Sequence, residues 1–262
     1  MIKAIAIKLI AVLGAVACAL LLPWPLGLAG AAIVVLLALG LIAWAVFDIN
    51  SSFWAPTLWR SPTAVKAVAL TFDDGPDPEF TPQVLEVLRA KGVTATFFCV
   101  GARVRAHPGL AKAIREQGHA LGNHSDSHAM TINFSLHARL RREIRACNDA
   151  IETATGVRPT LYRAPHGFKN PALGDVLRAE GMTAIGWQVR GFDAVVNDAA
   201  KITQRIVEKA QPGGVILLHD GAGLQGSTDR TATLEALPVV IDGLRAKGLE
   251  IVPLEKLLGR SA

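Results

Sequence analysis

The stretch Lys66–Val100, KAVALTFDDGPDPEFTPQVLEVLRAKGVTATFFCV, decides the fold. It opens on an apolar run, Lys66–Phe72, that reads as a buried strand. Turn chemistry follows in Asp73-Asp74-Gly75-Pro76-Asp77. A helical pattern then runs over Thr81–Ala90, with Pro82 near its start and Gly92 past its end. A second apolar run, Ala95–Val100, completes a strand–helix–strand unit. Such alternation predicts strands that run parallel.

The same grammar extends outward. Further strands are predicted at Ala120–Gly122, Pro159–Arg163, Thr183–Val189, Val215–His219 and Glu250–Pro253. Helices are predicted at Pro108–Gln117, Leu136–Thr155, Pro171–Glu180, Ala199–Ala210 and Thr231–Lys247. His107-Pro108 to Gly118 and Asn170-Pro171 to Gly181 repeat the start and stop signals. No internal repeat of fixed period is visible. The residues predict a parallel α/β domain, either an open sheet or a barrel.

The amino-terminal residues are a different material. Of 27 Lys+Arg and 22 Asp+Glu in 262 residues, only Lys3 and Lys8 fall within residues 1–47. Leu9–Phe47 is 39 residues without a charge, and it dominates the mean hydropathy of +0.35. That excludes a disordered or fibrous chain and argues against a wholly soluble one. Pro23-Trp24-Pro25 divides the run into apolar helices at about 2–22 and 26–47, each long enough to span a bilayer. Four of the five tryptophans (Trp24, Trp44, Trp54, Trp59) lie in the first 60 residues, where an interfacial belt would sit. The expected organisation is a membrane anchor over 1–49, a linker over 50–64 and a catalytic domain over 65–262. A signal peptide is the alternative, with Lys3 and Lys8 as its basic region, although the second apolar run would still anchor the product. Two spans would leave the domain beside the basic amino terminus in the cytoplasm. One span and an interfacial segment would place it outside, so the side of the membrane stays open.

Residues 48–262 carry 25 basic and 22 acidic side chains, a net +3, which excludes an electrostatic nucleic-acid binder. Cys18, Cys99 and Cys147 have no C-x-x-C spacing, which excludes a disulfide framework or a thiolate zinc site. Nothing in the sequence points to a protein partner.

Reactive side chains gather at the carboxyl ends of the predicted strands, the edge where parallel α/β domains assemble sites. Asp73 and Asp74 follow the first strand, where two adjacent carboxylates need a cation or a proton to coexist. Strand alternation points them apart, so that one could bind metal and the other act as a base. His124-Ser125-Asp126-Ser127-His128 sets two imidazoles four apart, on one face if helical, a spacing that suits one zinc-like ion. Asp74 would complete a triad with an open coordination position for water. His219 ends Val215–His219 and could be a general acid, or a hydrogen-bonded loop histidine. Arg163-Ala164-Pro165-His166 could hold a carboxylate through the guanidinium fork, or form an ordinary surface loop. His107, His119 and His137 read as structural.

Thr-Phe-Asp-Asp-Gly-Pro (71–76), His-Ser-x-x-His (124–128), Arg-x-Pro (163–165) and Leu-Leu-His-Asp (217–220) together resemble the polysaccharide deacetylase family, the NodB-homology group of carbohydrate esterases. The likeness spans Val65–Pro253. It implies a distorted (β/α)7-type barrel, here preceded by one or two transmembrane helices. It also implies one divalent metal ion, most often zinc, on Asp74, His124 and His128. Asp73 would be the base and His219 the acid, with Arg163 orienting Asp73 and Asp193 pairing with His219. Leu217 would receive the acyl methyl group, and Pro165 and His166 would contact substrate, the backbone at His166 donating to the oxyanion. Two motifs depart from the family pattern. His166 stands where Tyr is usual, and Arg190-Gly191-Phe192-Asp193-Ala194 keeps only the second Asp of Asp-x-x-Asp-Trp. These departures bear on the substrate. The implied reaction is hydrolysis of the N-acetyl amide of an amino sugar in a polysaccharide, oligosaccharide or peptidoglycan. Alternatives are a deacylase or deformylase of a lipid-linked amino sugar at the bilayer, and a non-catalytic sugar-binding module.

Overall fold

The computed structural model describes residues 2–222 and 229–259. Two apolar helices come first, α1 (Ile2–Leu21) and α2 (Leu26–Phe47), packed as a hairpin. Small residues permit the close approach: a side chain at Gly30 would meet Cys18, and one at Gly14 would meet Val34. Both helices are long and apolar enough to cross a membrane, as either an anchor or a signal sequence would be.

The remaining elements alternate. They are β1 (Thr57–Leu58), β2 (Ala67–Asp73), α3 (Phe80–Lys91), β3 (Ala95–Cys99), α4 (Gly101–Ala106), α5 (Pro108–Glu116), β4 (Ala120–Asn123) and α6 (His137–Thr155). Then follow β5 (Leu161–Tyr162), α7 (Leu173–Ala179), β6 (Thr183–Ile185), β7 (Val189–Arg190), α8 (Ala199–Lys209), β8 (Val215–His219), α9 (Thr231–Ala246), β9 (Glu250–Ile251) and α10 (Leu254–Leu257). Gly92, Gly118 and Gly181 each take a left-handed φ past a helix, the stop that the sequence signals.

All strand pairs in the sheet are parallel, in the order β1-β6-β5-β4-β3-β2-β8-β7, with β9 beside the start of β2. Because β6 and β7 are consecutive pieces of one bent strand, the sheet curls round on itself as a distorted α/β barrel. The predicted fifth strand is thus present but broken at Gly186–Gln188, where the chain turns to pair with β8.

Alternation along β2 explains both halves of the core. Val68, Leu70 and Phe72 point outward into an apolar layer shared with Val84, Leu88, Val240 and Leu244 of the covering helices. Ala67 and Ala69 point inward, packing with Phe98, Leu161, Ile185, Val215 and, from α10, Leu254 and Leu257. The inward row continues through Thr71 to Asp73. Small residues and a leucine plug thus fill the amino end of the barrel, and polar groups occupy its carboxyl end.

The predicted linker is not a free tether. Ser51, Trp54, Ala55, Thr57 and Ser61 are buried, and Thr57–Leu58 adds a strand beside β6. Lys169, itself buried, donates to the carbonyls of Ile49 and Ser51 and to the Thr57 hydroxyl. Its backbone amide donates to Val46 at the end of α2, and Phe47 packs edge-on against Phe168 with centroids 5.0 Å apart. The apolar hairpin therefore ends directly against the loop that carries His166.

Candidate active site

The carboxyl edge of the barrel holds a cavity of about 580 Å³ lined by Asp73, Asp74, His124, His128, His166, Leu217 and His219, among others. Each side chain reaches it through a local backbone device. Asp73 is the last residue of β2 and points inward. Asp74 leaves the strand with φ 77°, which turns its carboxylate toward the histidines. His124 follows β4, and His124–His128 is a loop and not a helix. The two imidazoles converge through a tight loop in which Ser125 and His128 both have positive φ. Asn123 accepts from the Ser125 amide, and the Ser125 hydroxyl accepts from the His128 amide. Glu143 of α6 clamps the Ser127 amide and hydroxyl.

Five non-glycine residues with positive φ occur among the described residues: Asp74, Ser125, His128, His166 and Phe192. Four line the cavity, and Ser125 lies between two residues that do. Such conformations persist only where surrounding structure enforces them, and they concentrate at working sites.

Asp74 Oδ1 lies 3.4 Å from His124 Nε2 and 3.1 Å from His128 Nε2. The Nδ1 of His124 is 2.9 Å from the Arg163 carbonyl. A carbonyl only accepts, so Nδ1 carries the proton and Nε2 presents its lone pair. Asp74 Oδ1 is buried without a hydrogen-bond partner. Three ligand atoms within 4.8 Å of one another, two of them imidazole nitrogens and one an anionic oxygen lacking a donor, fit a divalent cation.

Asp73 is held differently, although its Oδ2 also lies 3.7 Å from His124 Nε2. Arg163, fully buried, donates to Asp73 Oδ1 at 2.7 Å and to the Thr71 hydroxyl at 2.8 Å. Its remaining donors go to the carbonyls of Ile185 and Gly186, and its guanidinium lies over the Phe98 ring. Arg163 thus stands behind Asp73 rather than in the cavity. His219 is held from behind as well. Asp193 accepts from its Nδ1 at 3.0 Å and from its backbone amide at 2.7 Å, and is itself fixed by the Thr233 hydroxyl. Burial would lower the His219 pKa, but Asp193, then Asp74 and Asp73, outweigh it and raise it to about 9. The Nε2 of His219 then carries a proton on the cavity side.

Leu217 and His166 line the cavity, whereas Pro165 lies buried beneath it, its carbonyl accepting from Phe168 and Asn133. The structure adds residues that no motif announced: Trp187, Phe192, Val195 and Arg230 on the cavity wall. Trp187 sits at the break between β6 and β7 and supplies an aromatic wall from a different place than the motif position that here is Ala194. A side chain on Gly167 (φ 80°) would meet Trp187 at 2.9 Å and Ile49 at 3.3 Å, so only glycine fits where loop, wall and linker converge. The three histidines read as structural lie outside the site. His119 accepts from the Ala95 amide and is lowered to about 4 by burial, and His137 pairs with Asp175.

Comparison with known proteins agrees with this geometry. Residues 60–185 match the family model described as polysaccharide deacetylase. A peptidoglycan-N-acetylglucosamine deacetylase of Bacillus cereus is 34% identical over 202 residues, covering 76% of this chain and 92% of that protein. A chitooligosaccharide deacetylase of a Bradyrhizobium species is 32% identical, covering 74% of this chain and 92% of its own length. The crystal structure of the Bc1960 peptidoglycan N-acetylglucosamine deacetylase superposes with a TM-score of 0.71 at 31% identity, covering 78% of this chain and 94% of that one.

Proposed function

The chain belongs to the polysaccharide deacetylase family, and from that premise we propose how its own residues hydrolyse the N-acetyl amide of an amino sugar. The enzyme is a metal-dependent carbohydrate N-deacetylase that releases acetate and leaves a free amine. The observation that carries the assignment of roles is the different anchoring of the two aspartates: Asp74 lies nearer both histidines, while Asp73, 3.7 Å from His124, is bonded from behind by Arg163.

Asp74, His124 and His128 would hold the ion, which the two-nitrogen, one-oxygen donor set suits to zinc. When bound there, a divalent cation would lower the pKa of a water and polarise the amide carbonyl. Asp73, oriented by its bond from Arg163, accepts the proton of the attacking water. As the C–N bond breaks, His219 passes its Nε2 proton to the departing amine, and Asp193 stabilises the imidazolium until then. The Gly167 and Phe168 amides are spent on Ala164 and Pro165 carbonyls, whereas the His166 amide has no acceptor among the described bonds. It is the donor for the oxyanion. Leu217, buried at the cavity floor, suits the acetyl methyl, and Trp187 offers a stacking face for the sugar.

The domain division follows the same reading: an anchor over 1–49, a packed connection over 50–64, and the catalytic domain from 65 onward to 262, whose last three residues lie outside the described ones. The hairpin anchors the enzyme in a lipid bilayer. Supporting this, Lys3 donates to the Phe53 carbonyl and lies over its ring, so both ends of the hairpin meet at the domain. Acetate release from N-acetylglucosamine oligomers by the full-length, metal-loaded chain tests the function. A folded, loaded protein that releases none overturns it.

A further inference from the structure

Arg190 lines the catalytic cavity, and beyond it lies a second hollow of about 520 Å³. The two share Trp187, Arg190 and Phe192 as a common lip. Across that lip the hollow is lined by Arg205, Lys209 and Glu208. The guanidiniums of Arg190 and Arg205 lie 4.0 and 4.2 Å from the centroid of the one Phe192 ring, and Arg205 Nε donates to the Arg190 carbonyl. Phe192 is held at φ 60°, so its backbone is bent to present the ring there.

Two like charges gathered on one ring repel, and neither guanidinium has a carboxylate partner among the described residues. The carboxylate in the hollow, Glu208, accepts from the Gln204 side chain instead. Lys209 has no ion pair among the described residues either. An arrangement that concentrates unneutralised guanidinium at the edge of a catalytic cavity suits a phosphoryl oxygen, which arginine binds in fork geometry.

We propose that Arg190 and Arg205, with Lys209, form a phosphate subsite, so that the amino sugar deacetylated by this chain carries a phosphoryl group. The inference rests on the deacetylase reading of the adjoining cavity and adds the substrate class. The acetamido group reaches the Asp74–His124–His128 centre while the phosphate lies over the Trp187–Phe192 lip. Two sources share this chemistry: a soluble sugar phosphate and a sugar joined through phosphate to a membrane lipid. The position of α2 against the His166 loop suits the second.

The test uses the full-length, zinc-loaded protein in nanodiscs. Initial rates of acetate release are compared for N-acetylglucosamine, chitotetraose, N-acetylglucosamine 1-phosphate, and the same sugar linked through phosphate to a polyisoprenol in the disc. The phosphorylated substrates are expected to exceed the neutral ones in kcat/KM by about ten-fold or more. In Arg190→Glu/Arg205→Glu that ratio is expected to collapse toward unity through KM. A gain with both phosphorylated substrates, or with the soluble one alone, supports the subsite and identifies the source. A gain confined to the lipid-linked sugar supports the subsite if Arg190→Glu/Arg205→Glu removes it, and overturns the subsite if that variant keeps it, because lipid and not phosphate would then be recognised. Chitotetraose turned over as well as either phosphorylated sugar overturns the subsite and leaves the deacetylase intact. No release from any substrate overturns the deacetylase reading and the subsite with it.

Discussion

Asp73 and His219 are register partners, closing β2 and β8 side by side at the carboxyl edge of the barrel. Neighbouring strands lie about 4.8 Å apart, so base and acid flank a single amide without any loop folding over it. Each is held by a separate buried partner, Arg163 for the carboxylate and Asp193 for the imidazole. The two side chains are thus oriented separately in one small space, as a base-then-acid sequence requires.

Asp73→Asn removes the proton acceptor but keeps the shape. It is expected to lower kcat by about 10²- to 10⁴-fold, with metal content unchanged by elemental analysis. An active Asp73→Asn enzyme would assign the base elsewhere.

His219 works protonated, and its pKa is raised to about 9. Activity should hold through neutrality and fall as pH rises through about 9. Asp193→Asn removes the nearest carboxylate, so the alkaline limb of kcat should shift downward toward the ordinary histidine value of 6.5. A limb that stays in place would separate His219 from the acid role.

Trp187 walls the cavity but touches no reacting group. Trp187→Ala should raise KM for a sugar substrate by roughly ten-fold while kcat falls less, since a stacked aromatic face contributes about 1 kcal/mol beyond burial. Equal losses in kcat and kcat/KM would instead make the indole part of the transition-state contacts.

Lys169 ties the anchor connection to the His166 loop through three oxygens. Lys169→Met leaves buried acceptors unpaired and should cost roughly 1–3 kcal/mol of stability, read as a lowered Tm. Because that loop supplies the His166 amide, kcat should fall with it. A stable variant with normal kcat would show that the clamp does not shape the site.

The parts of the molecule legible in the sequence are those written in local chemistry. Thr81-Pro82 to Gly92 announces α3, and the run ending at Asp73 announces β2. The grouping of Asp74, His124 and His128 is legible from residue types, while its geometry is not. His124 and His128 face one point through a loop with two left-handed residues, and helical spacing happened to suggest the same pair. The cavity wall was the least legible part. Trp187 lies inside a predicted strand, and only the turn that transfers the chain from β5 to β8 aims its indole at the substrate. Thr57–Leu58 is not legible as a strand, because two residues flanked by Pro and Trp carry no period and β6 alone makes them one. α4 begins directly after β3, its first amides accepted by Ser125 and Asp126 carbonyls rather than by a capping side chain.

One ion on Asp74, His124 and His128 would make this barrel a deacetylase. The most direct measurement is a titration of zinc into chelator-stripped, full-length protein while acetate release from N-acetylglucosamine oligomers is followed. No release is expected without metal, then a linear rise and a plateau at one ion per chain, all lost in Asp74→Ala. Release by the stripped protein, or an undiminished plateau in Asp74→Ala, would contradict it.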